Sequence, residues 1–191
     1  MNNWRVLIVF TYQKYAYFFE YNSQKCMIKL QNTLEVYMDI RFAQNQDITD
    51  ILNLLEQVNL IHHQARPDIL KEAPKYTSDE IANIIEDPQR PILVAVEGNH
   101  ILGYMFGIYQ ETAESEFLVG EKFLYIDDIC VDQNARGKHV GQALYQATKE
   151  LAADTGCRRI TLNVWAFNDS AKSFYEKMGM QTFKTTLEDI L

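Results

Sequence analysis

Cysteine is scarce in this sequence of 191 residues, and its spacing excludes the usual cysteine-based sites. The three cysteines, Cys26, Cys130 and Cys157, are odd in number and include no Cys-x-x-Cys pair. Such a set argues against a framework of disulfide bonds and against a zinc knuckle. Free thiols of this kind are typical of a reducing cytoplasm, which is the location that we expect.

Long apolar segments and an excess of positive charge are lacking as well. The longest apolar run near the start, residues 6–10, is too short to cross a bilayer and lacks the layout of a cleavable signal. The formal net charge of −8 argues against broad contact with the phosphate backbone of nucleic acids. We therefore expect neither a membrane nor a nucleic acid as partner, whereas a small cationic substrate would suit the charge.

What remains is the composition of one folded soluble domain, with 47% apolar and 23% charged residues. The first 37 residues differ from the rest, because they hold nine of the 23 aromatic residues and show no clean period. Within them, residues 4–11 and 15–21 have the composition of strands.

The pattern becomes regular at Met38, which we interpret as the biological start of the protein. The codons of residues 34–36 (Leu-Glu-Val) can contain a purine-rich GGAGG, as a bacterial ribosome-binding site does just before a start codon. The alternative is a genuine N-terminal extension, residues 1–37, that packs on the domain formed by residues 38–191.

From Met38 onward, hydrophobic periods predict strands and helices in the order β-α-α-β-β-β-α-β-α-β. Alternation or continuous apolar runs predict strands at residues 38–43, 91–97, 101–109, 123–131, 159–165 and 181–187. Capping residues and apolar residues three or four positions apart predict helices beginning at Asp47, Thr77, Val140 and Asn168, with a polar loop at residues 61–68. The strand at 123–131 is nearly all apolar and is expected at the centre of the sheet, followed by a helix and a parallel strand. This order predicts an α/β domain with three layers.

The turn between the central strand and its helix has the features of an anion site. Residues 132–141 contain Arg136, Gly137, Lys138 and Gly141 where the first turn of the helix leaves its amides without partners. We expect Gly137 to permit a tight turn and Gly141 to leave room for a pyrophosphate. An ordinary helix entry with solvated charges is the alternative.

A second group of residues lies at 168–180, where a capped helix ends in a glycine. Phe174 and Tyr175 are adjacent and diverge by about 100° on a helix, so they cannot both face the core equally. Either Phe174 packs inward with Tyr175 at the rim, or Tyr175 presents its hydroxyl to a cleft beside the central strand.

Taken together, these motifs resemble those of the GNAT superfamily of acyl-CoA N-acyltransferases. The resemblance covers the chain from about Met38 onward, and it is carried by three motifs in order: Tyr125-Ile-Asp-Asp-Ile-Cys-Val131, Arg136-Gly-Lys-His-Val-Gly-Gln-Ala-Leu144 and Asn168-x-x-Ala-x-x-Phe-Tyr-x-x-x-Gly-Met180. It implies a mixed central sheet with a splayed parallel strand pair and flanking helices. It also implies transfer of an acetyl group from acetyl-CoA, as cosubstrate, to a primary amine of a small molecule or a protein by direct attack in a ternary complex, without a metal.

The resemblance assigns roles to individual residues of this chain. The backbone of Ile129, Cys130 and Val131 would hold the pantetheine arm, Asn168 would hydrogen-bond the cofactor, and Tyr175 would stand near the thioester sulfur as general acid. The pyrophosphate would be held by the segment Arg136, Gly137, Lys138, His139, Val140, Gly141 and Gln142. His139 replaces a glycine of the family pattern, and we expect it to adopt helical φ and ψ with its side chain in solvent.

The general base is sought among the carboxylates of the central strand. Asp127 and Asp128 are candidates, with Asp128 preferred, because carboxylates inside an apolar strand are costly unless used or paired. Adjacent strand residues point to opposite faces, so only one can face the acceptor unless a bulge intervenes. The alternative is that one aspartate pairs with an arginine or caps a loop.

The acceptor itself is only indirectly indicated. His62 and His63 either line its pocket or form a solvated pair, and Asn163 and Trp165 either flank it or simply pack. An acidic segment favours cationic acceptors such as polyamines or lysine-like amines; its members are Glu111, Glu114, Glu116 and Glu121. A homodimer is possible for a protein of this family. The alternative function is a catalytically inactive domain that binds acetyl-CoA as a sensor or interaction module.

Overall fold

The computed structural model describes residues 38–190. The predictions made for residues 1–37, and with them Cys26, lie outside the described residues. Within the described part, no helix is long and apolar enough to cross a membrane.

The described chain forms one five-stranded sheet whose spatial order follows the sequence, β1-β2-β3-β4-β5. Neighbouring strands are antiparallel except β4 and β5, which are parallel. The strands are β1 (Met38–Phe42), β2 (Ile92–Glu97), β3 (His100–Thr112), β4 (Glu121–Val131) and β5 (Arg159–Leu162). The mixed sheet with a parallel pair confirms the expected fold class.

Four helices and two 3₁₀ turns complete the architecture of the described residues. The helices are α1 (Ile48–Ala65), α2 (Ser78–Glu86), α3 (Val140–Asp154) and α4 (Asp169–Lys177). The 3₁₀ turns, Asn45–Asp47 and Gln133–Ala135, precede α1 and α3. Thr77 caps α2 as predicted, since its side chain and that of Glu80 satisfy each other's backbone amides.

The two faces of the sheet are covered by different helices. The apolar side chains of α1 and α2 pack with Ile92, Val94 and Val96 of β2 on one face. On the other face, α3 packs with Leu93 and Ala95 of the same strand. Because both faces are covered, β2 is apolar at every position from 92 to 96 instead of alternating.

Helix α1 is longer than the sequence predicted, since residues 61–65 belong to it and not to a loop. Polar residues are tolerated there because this face of the helix is partly open to solvent. The helix ends at Arg66, whose φ of −139° and ψ of 64° are not helical. Pro67 follows, and a proline disfavours helical geometry in the residue before it.

The strand predictions near the C-terminus were partly wrong. Strand β5 ends at Leu162 instead of Trp165, and the predicted strand at 181–187 is absent, with Phe183 71% and Leu187 89% exposed. A strand is stable only where a neighbour accepts its backbone hydrogen bonds, and in the described chain no strand lies beyond β5. The alternating pattern of residues 181–187 was therefore not enough to make this segment a strand.

Candidate active site

The site begins where β4 and β5 separate. Their parallel pairing runs from Phe123 opposite Arg159 to Ile126 opposite Leu162, and then β5 ends. Strand β4 continues to Val131, still paired with β3 on its other side. We call the unpaired side of residues 127–131 the β4–β5 opening. Its backbone groups face no strand of the described chain.

A β-bulge lies at the start of this opening. Phe106 is opposite Asp128 and Gly107 is opposite Ile126, so Asp127 is the extra residue on β4. The bulge breaks the strict alternation of side chains along β4. Without a bulge, adjacent residues such as Asp127 and Asp128 would point to opposite faces of the sheet. As a result Lys75 Nζ lies 3.0 Å from Asp127 Oδ2 and 3.9 Å from Asp128 Oδ2. Both carboxylates, which we call the carboxylate pair, thus reach the same cation.

Asp127 is held by residues from the loop that precedes α2. The Tyr76 hydroxyl donates a hydrogen bond of 2.5 Å to Asp127 Oδ2, and Lys75 Nζ donates one of 3.1 Å to the Asp127 backbone oxygen. Tyr76 is itself fixed, because its ring stacks on Phe106 and its hydroxyl accepts from Arg90. Asp127 is therefore held by a lysine and a tyrosine, and not by the arginine that the alternative named.

Asp128 is the more deeply placed member of the carboxylate pair, with only 10% of its side chain exposed. Burial raises its pKa to about 6, and the charge of Asp127 adds to the rise while Lys75 opposes it. The hydroxyl of Tyr104 is fully buried and electrostatically coupled to Asp128, although it makes no hydrogen bond of ordinary geometry within the described chain. At pH 7 Asp128 is mainly ionised yet able to take up a proton, as a general base requires.

Tyr175 lies close enough to Asp128 to feel its charge. Its residue is 7% exposed, and its ring packs edge-on against Tyr145 and Phe174. Burial, followed by the negative charge of Asp128, raises the pKa of Tyr175 above its ordinary value. The phenol is thus protonated at neutral pH and can donate. Tyr175 is more buried than Phe174, so the alternative with Tyr175 at the rim was wrong.

The turn before α3 has the backbone shape of an anion site. Helix α3 begins at Val140, and its first intrahelical bond runs from Ala143 N to His139 O. The amides of Val140, Gly141 and Gln142 therefore have no partner within the helix. Gly137, with φ of 78°, adopts the left-handed conformation expected of a tight turn.

His139 departs from expectation. Its side chain is exposed as predicted, but its φ of 62° and ψ of 13° are left-handed, not helical. The turn before α3 needs a residue with positive φ, which glycine supplies without strain and histidine only at some cost. The His139 ring nitrogen lies 3.1 Å from Gln142 Oε1.

Gly141, in the first turn of α3, lies beside α4 and β4. A Cβ built on it would meet Phe174 Cζ and Val131 Cγ2, both at 3.5 Å. A side chain at this position would point at Phe174 of α4 and Val131 of β4 at ordinary van der Waals distance. That this glycine leaves room for a pyrophosphate stays a prediction. Its amide still belongs to the first turn of α3.

Asn168 and Cys130 direct their side chains to structural partners. Asn168 Oδ1 accepts from Ala171 N at 3.0 Å and thereby caps α4. Cys130 Sγ points at Leu54 O on α1, and burial raises the pKa of this thiol to about 12. Contact of Cys130 with a ligand in the β4–β5 opening would therefore come from its backbone, as the sequence analysis expected.

The two histidines lie in the last turns of α1 and are not a solvated pair. The His62 ring packs edge-on against Phe167, and burial together with the charge of Lys75 lowers its pKa. His63 Nδ1 lies 2.7 Å from Leu70 O and holds the following loop. Of the two, His62 is the one that the charge of Lys75 affects.

Residues after β5 form an aromatic cluster beside His62. Trp165 stacks on Phe167 at a ring distance of 6.0 Å, and the guanidinium of Arg66 lies over the Trp165 ring. Asn163 Nδ2 donates to the Tyr125 hydroxyl at 3.2 Å and is fixed by that contact. Trp165 is 36% exposed.

The acidic segment lies at the other end of β4. Glu121 is the first residue of the strand and pairs with Arg159 at 2.8 Å. It is six positions before Asp127, which at about 3.3 Å a residue corresponds to roughly 20 Å. These glutamates therefore do not surround the carboxylate pair.

Lys75 and Tyr76 are the residues that sequence reasoning missed. Both precede the cap of α2 in a loop without a recognisable motif, and they reach Asp127 across 52 and 51 positions of the chain. No local pattern signals a contact of this range. Among the described residues, no group of three or more His, Cys, Asp or Glu side chains could hold a metal ion.

Comparisons with known proteins show the family to which the chain belongs. The model of the family described as Acetyltransferase (GNAT) family matches residues 55–180. The chain is 30% identical over 138 residues to a glucosamine 6-phosphate N-acetyltransferase of Trypanosoma brucei brucei, covering 71% of this chain and 92% of the relative. It is 27% identical over 155 residues to a thialysine N-epsilon-acetyltransferase of Bos taurus, covering 76% and 85%.

A solved structure shows the same fold. It is that of a mutant of the BH1408 protein from Bacillus halodurans, with a TM-score of 0.77 and 30% identity. The alignment covers 80% of this chain and 98% of that protein. On the strength of the family match and these relatives, the chain belongs to the GNAT family of acetyltransferases and is an N-acetyltransferase.

Proposed function

We propose that this enzyme transfers the acetyl group of acetyl-CoA to a primary amine of a small molecule by direct attack in a ternary complex. The observation that carries the proposal is the bulge at Asp127. It brings two carboxylates to one cation at the point where β4 and β5 part.

The donor is expected to bind along the β4–β5 opening. The unpaired backbone of Ile129, Cys130 and Val131 can hydrogen-bond the amides of a pantetheine arm, as an added strand would. Beyond Val131 the chain reaches the first turn of α3, whose amides and positive helix end suit the pyrophosphate. The two subsites follow each other along the chain in the order that the donor requires.

The residues near the opening supply the proton transfers. Asp128 accepts a proton from the ammonium form of the acceptor, which must lose it to become nucleophilic. Asp127, fixed by Tyr76, attracts the cation and orients it. Backbone N–H groups of β4 stabilise the negative charge that develops on the carbonyl oxygen. Tyr175 gives its proton to the departing thiolate and regains one from the nitrogen.

The acceptor is proposed to be a small cationic amine. The carboxylate pair favours positive charge at the reacting centre, and His62, which the charge of Lys75 affects, shares the ring of Phe167 with Trp165. The relatives named above act, by their names, on amines of small molecules: glucosamine 6-phosphate in one case and thialysine in the other. Thialysine, a lysine-like amine, matches the charge of the pair more closely.

Calorimetry with coenzyme A and a thiol-release assay over a panel of amines test the proposal. We expect saturable binding of coenzyme A and thiol release with at least one amine. Asp128→Asn and Tyr175→Phe should each lower kcat by about 10²-fold, while affinity for coenzyme A stays nearly unchanged. Tyr145→Phe is the matched control for Tyr175, because it removes the hydroxyl of the neighbouring ring.

The outcomes separate the alternatives. Binding of coenzyme A without thiol release on any amine would support an inactive binding module instead of an enzyme with this mechanism. If coenzyme A does not bind saturably to the folded protein, the proposed donor site is wrong. Equal loss of activity in the Tyr175 and Tyr145 variants would remove Tyr175 from the role of acid.

A further inference from the structure

The loop between α1 and α2 places an amino group of the protein itself in the candidate site. Lys75 Nζ lies 3.0 Å from Asp127 Oδ2 and 3.9 Å from Asp128 Oδ2, and it donates to the Asp127 backbone oxygen. The mechanism proposed above makes no use of this amine. A primary amine is the class of nucleophile that the proposed reaction consumes.

We propose that Lys75 is an intramolecular acceptor, so that the enzyme acetylates itself at this residue. The inference rests on the proposed function. Lys75 occupies the position that the carboxylate pair defines for the ammonium group of an external acceptor. Asp128, the proposed base, lies 3.9 Å from Lys75 Nζ, so the nucleophile and the base share one site.

The loop that leads to Lys75 is held against α1, because two of its backbone oxygens, both before Lys75 in the chain, contact side chains of that helix. His63 Nδ1 lies 2.7 Å from Leu70 O, and Asn59 Nδ2 donates to Ala73 O at 3.2 Å. A tethered nucleophile reacts at a high effective concentration. The Lys75 side chain is 34% exposed, so the site also stays open to solvent and to competing amines.

The atoms and electrons of the step balance. Asp128 removes one proton from the Lys75 ammonium group, and the nitrogen lone pair forms a bond to the acetyl carbon. The carbon–sulfur bond breaks, and its electron pair leaves on sulfur. Tyr175 protonates the thiolate and takes the second nitrogen proton, and Asp128 releases its proton to solvent. The products are Nε-acetyl-Lys75 and coenzyme A.

Intact mass and peptide mapping after incubation with acetyl-CoA test the inference. We expect the mass to rise by one acetyl group, located at Lys75, at a rate independent of enzyme concentration. The exposed Lys149 on α3 measures uncatalysed acetylation in the same sample, and Lys75 should react about 10²-fold faster. Asp128→Asn should reduce Lys75 to the Lys149 rate, with coenzyme A binding as a check of its fold.

Turnover of external amines, measured on the same preparation, distinguishes the two proposals. A good external acceptor should slow the acetylation of Lys75 in proportion to its saturation. If external amines are acetylated while Lys75 reacts no faster than Lys149, self-acetylation is wrong and the proposed function stands. If coenzyme A binds but neither Lys75 nor any external amine is acetylated, both the proposed function and self-acetylation are wrong.

Discussion

Replacing Lys75 by methionine should shift the acidic limb of the pH–rate profile. Lys75 Nζ lies 3.9 Å from Asp128 Oδ2, and its positive charge lowers the pKa that burial raises. Because Lys75 is one-third exposed, an effective dielectric constant of about 40–80 applies, which gives roughly 1–2 kcal/mol for this pair. That corresponds to about one pH unit.

The expected sign follows from the charge. Without the cation the ionised form of Asp128 is less stable, so its pKa rises from about 6 and the base is lost at a higher pH. Relative to its own plateau, kcat/KM of Lys75→Met at pH 6 should be about five-fold below wild type, and the difference should vanish near pH 8. Steady-state thiol release across pH 5–9 measures this.

Two controls assign the shift to Asp128. Lys75→Arg retains the positive charge and should keep the limb near its wild-type position. His62 also feels Lys75, so His62→Gln in the Lys75→Met background tests whether the limb belongs to the imidazole. The reasoning is refuted if the limb of Lys75→Met stays in place, or if it shifts only while His62 is present.

Three further predictions concern stability and the donor site. His139→Gly should relieve left-handed strain and stabilise the fold by about 0.5 kcal/mol, whereas His139→Ala should not; thermal melts would show it. Gly141→Ala should fold and bind coenzyme A, while Gly141→Val should lose about 1–3 kcal/mol by crowding Phe174; loss of binding in a stable Ala variant would contradict this. Asp47→Asn should cost about 2 kcal/mol at pH 7, since bonds from Arg41 and the Gln44 amide outweigh burial and lower the pKa of Asp47. This contribution is present above the ordinary carboxyl pKa of 3.8, so the difference in urea midpoints should shrink as pH falls below it.

Residue patterns of short range were enough to predict most elements of the sheet and all four helices of the described chain. The apolar run of β2 reflects cover on both faces, and the capping box at Thr77 reflects amides that the first turn leaves unpaired. These properties depend on neighbours within a few positions of the chain. The parallel β4–β5 pair also followed, because a helix must carry the chain back across the sheet.

Short-range residue patterns predicted the candidate residues of the site but not their protonation chemistry. Asp128 and Tyr175 could be named as candidates from their residue types and motifs. Their pKa values could not, because the rise for each comes first from burial, and burial depends on which helices cover the sheet. The same holds for Gly141, whose neighbours Phe174 and Val131 are brought to it only by the tertiary packing.

The sequence by itself determined the order of elements as far as α4, the helix starts and the family motifs, since each is encoded by local hydrogen bonding and hydrophobic period. Only the tertiary structure decided that both carboxylates face one cation, because the bulge at Asp127 arises from the register between β3 and β4. It also decided that this cation is Lys75, which is distant in the chain, and that residues 181–187 remain without a strand partner. Contacts between distant segments depend on how the whole sheet is assembled, and no local pattern records them.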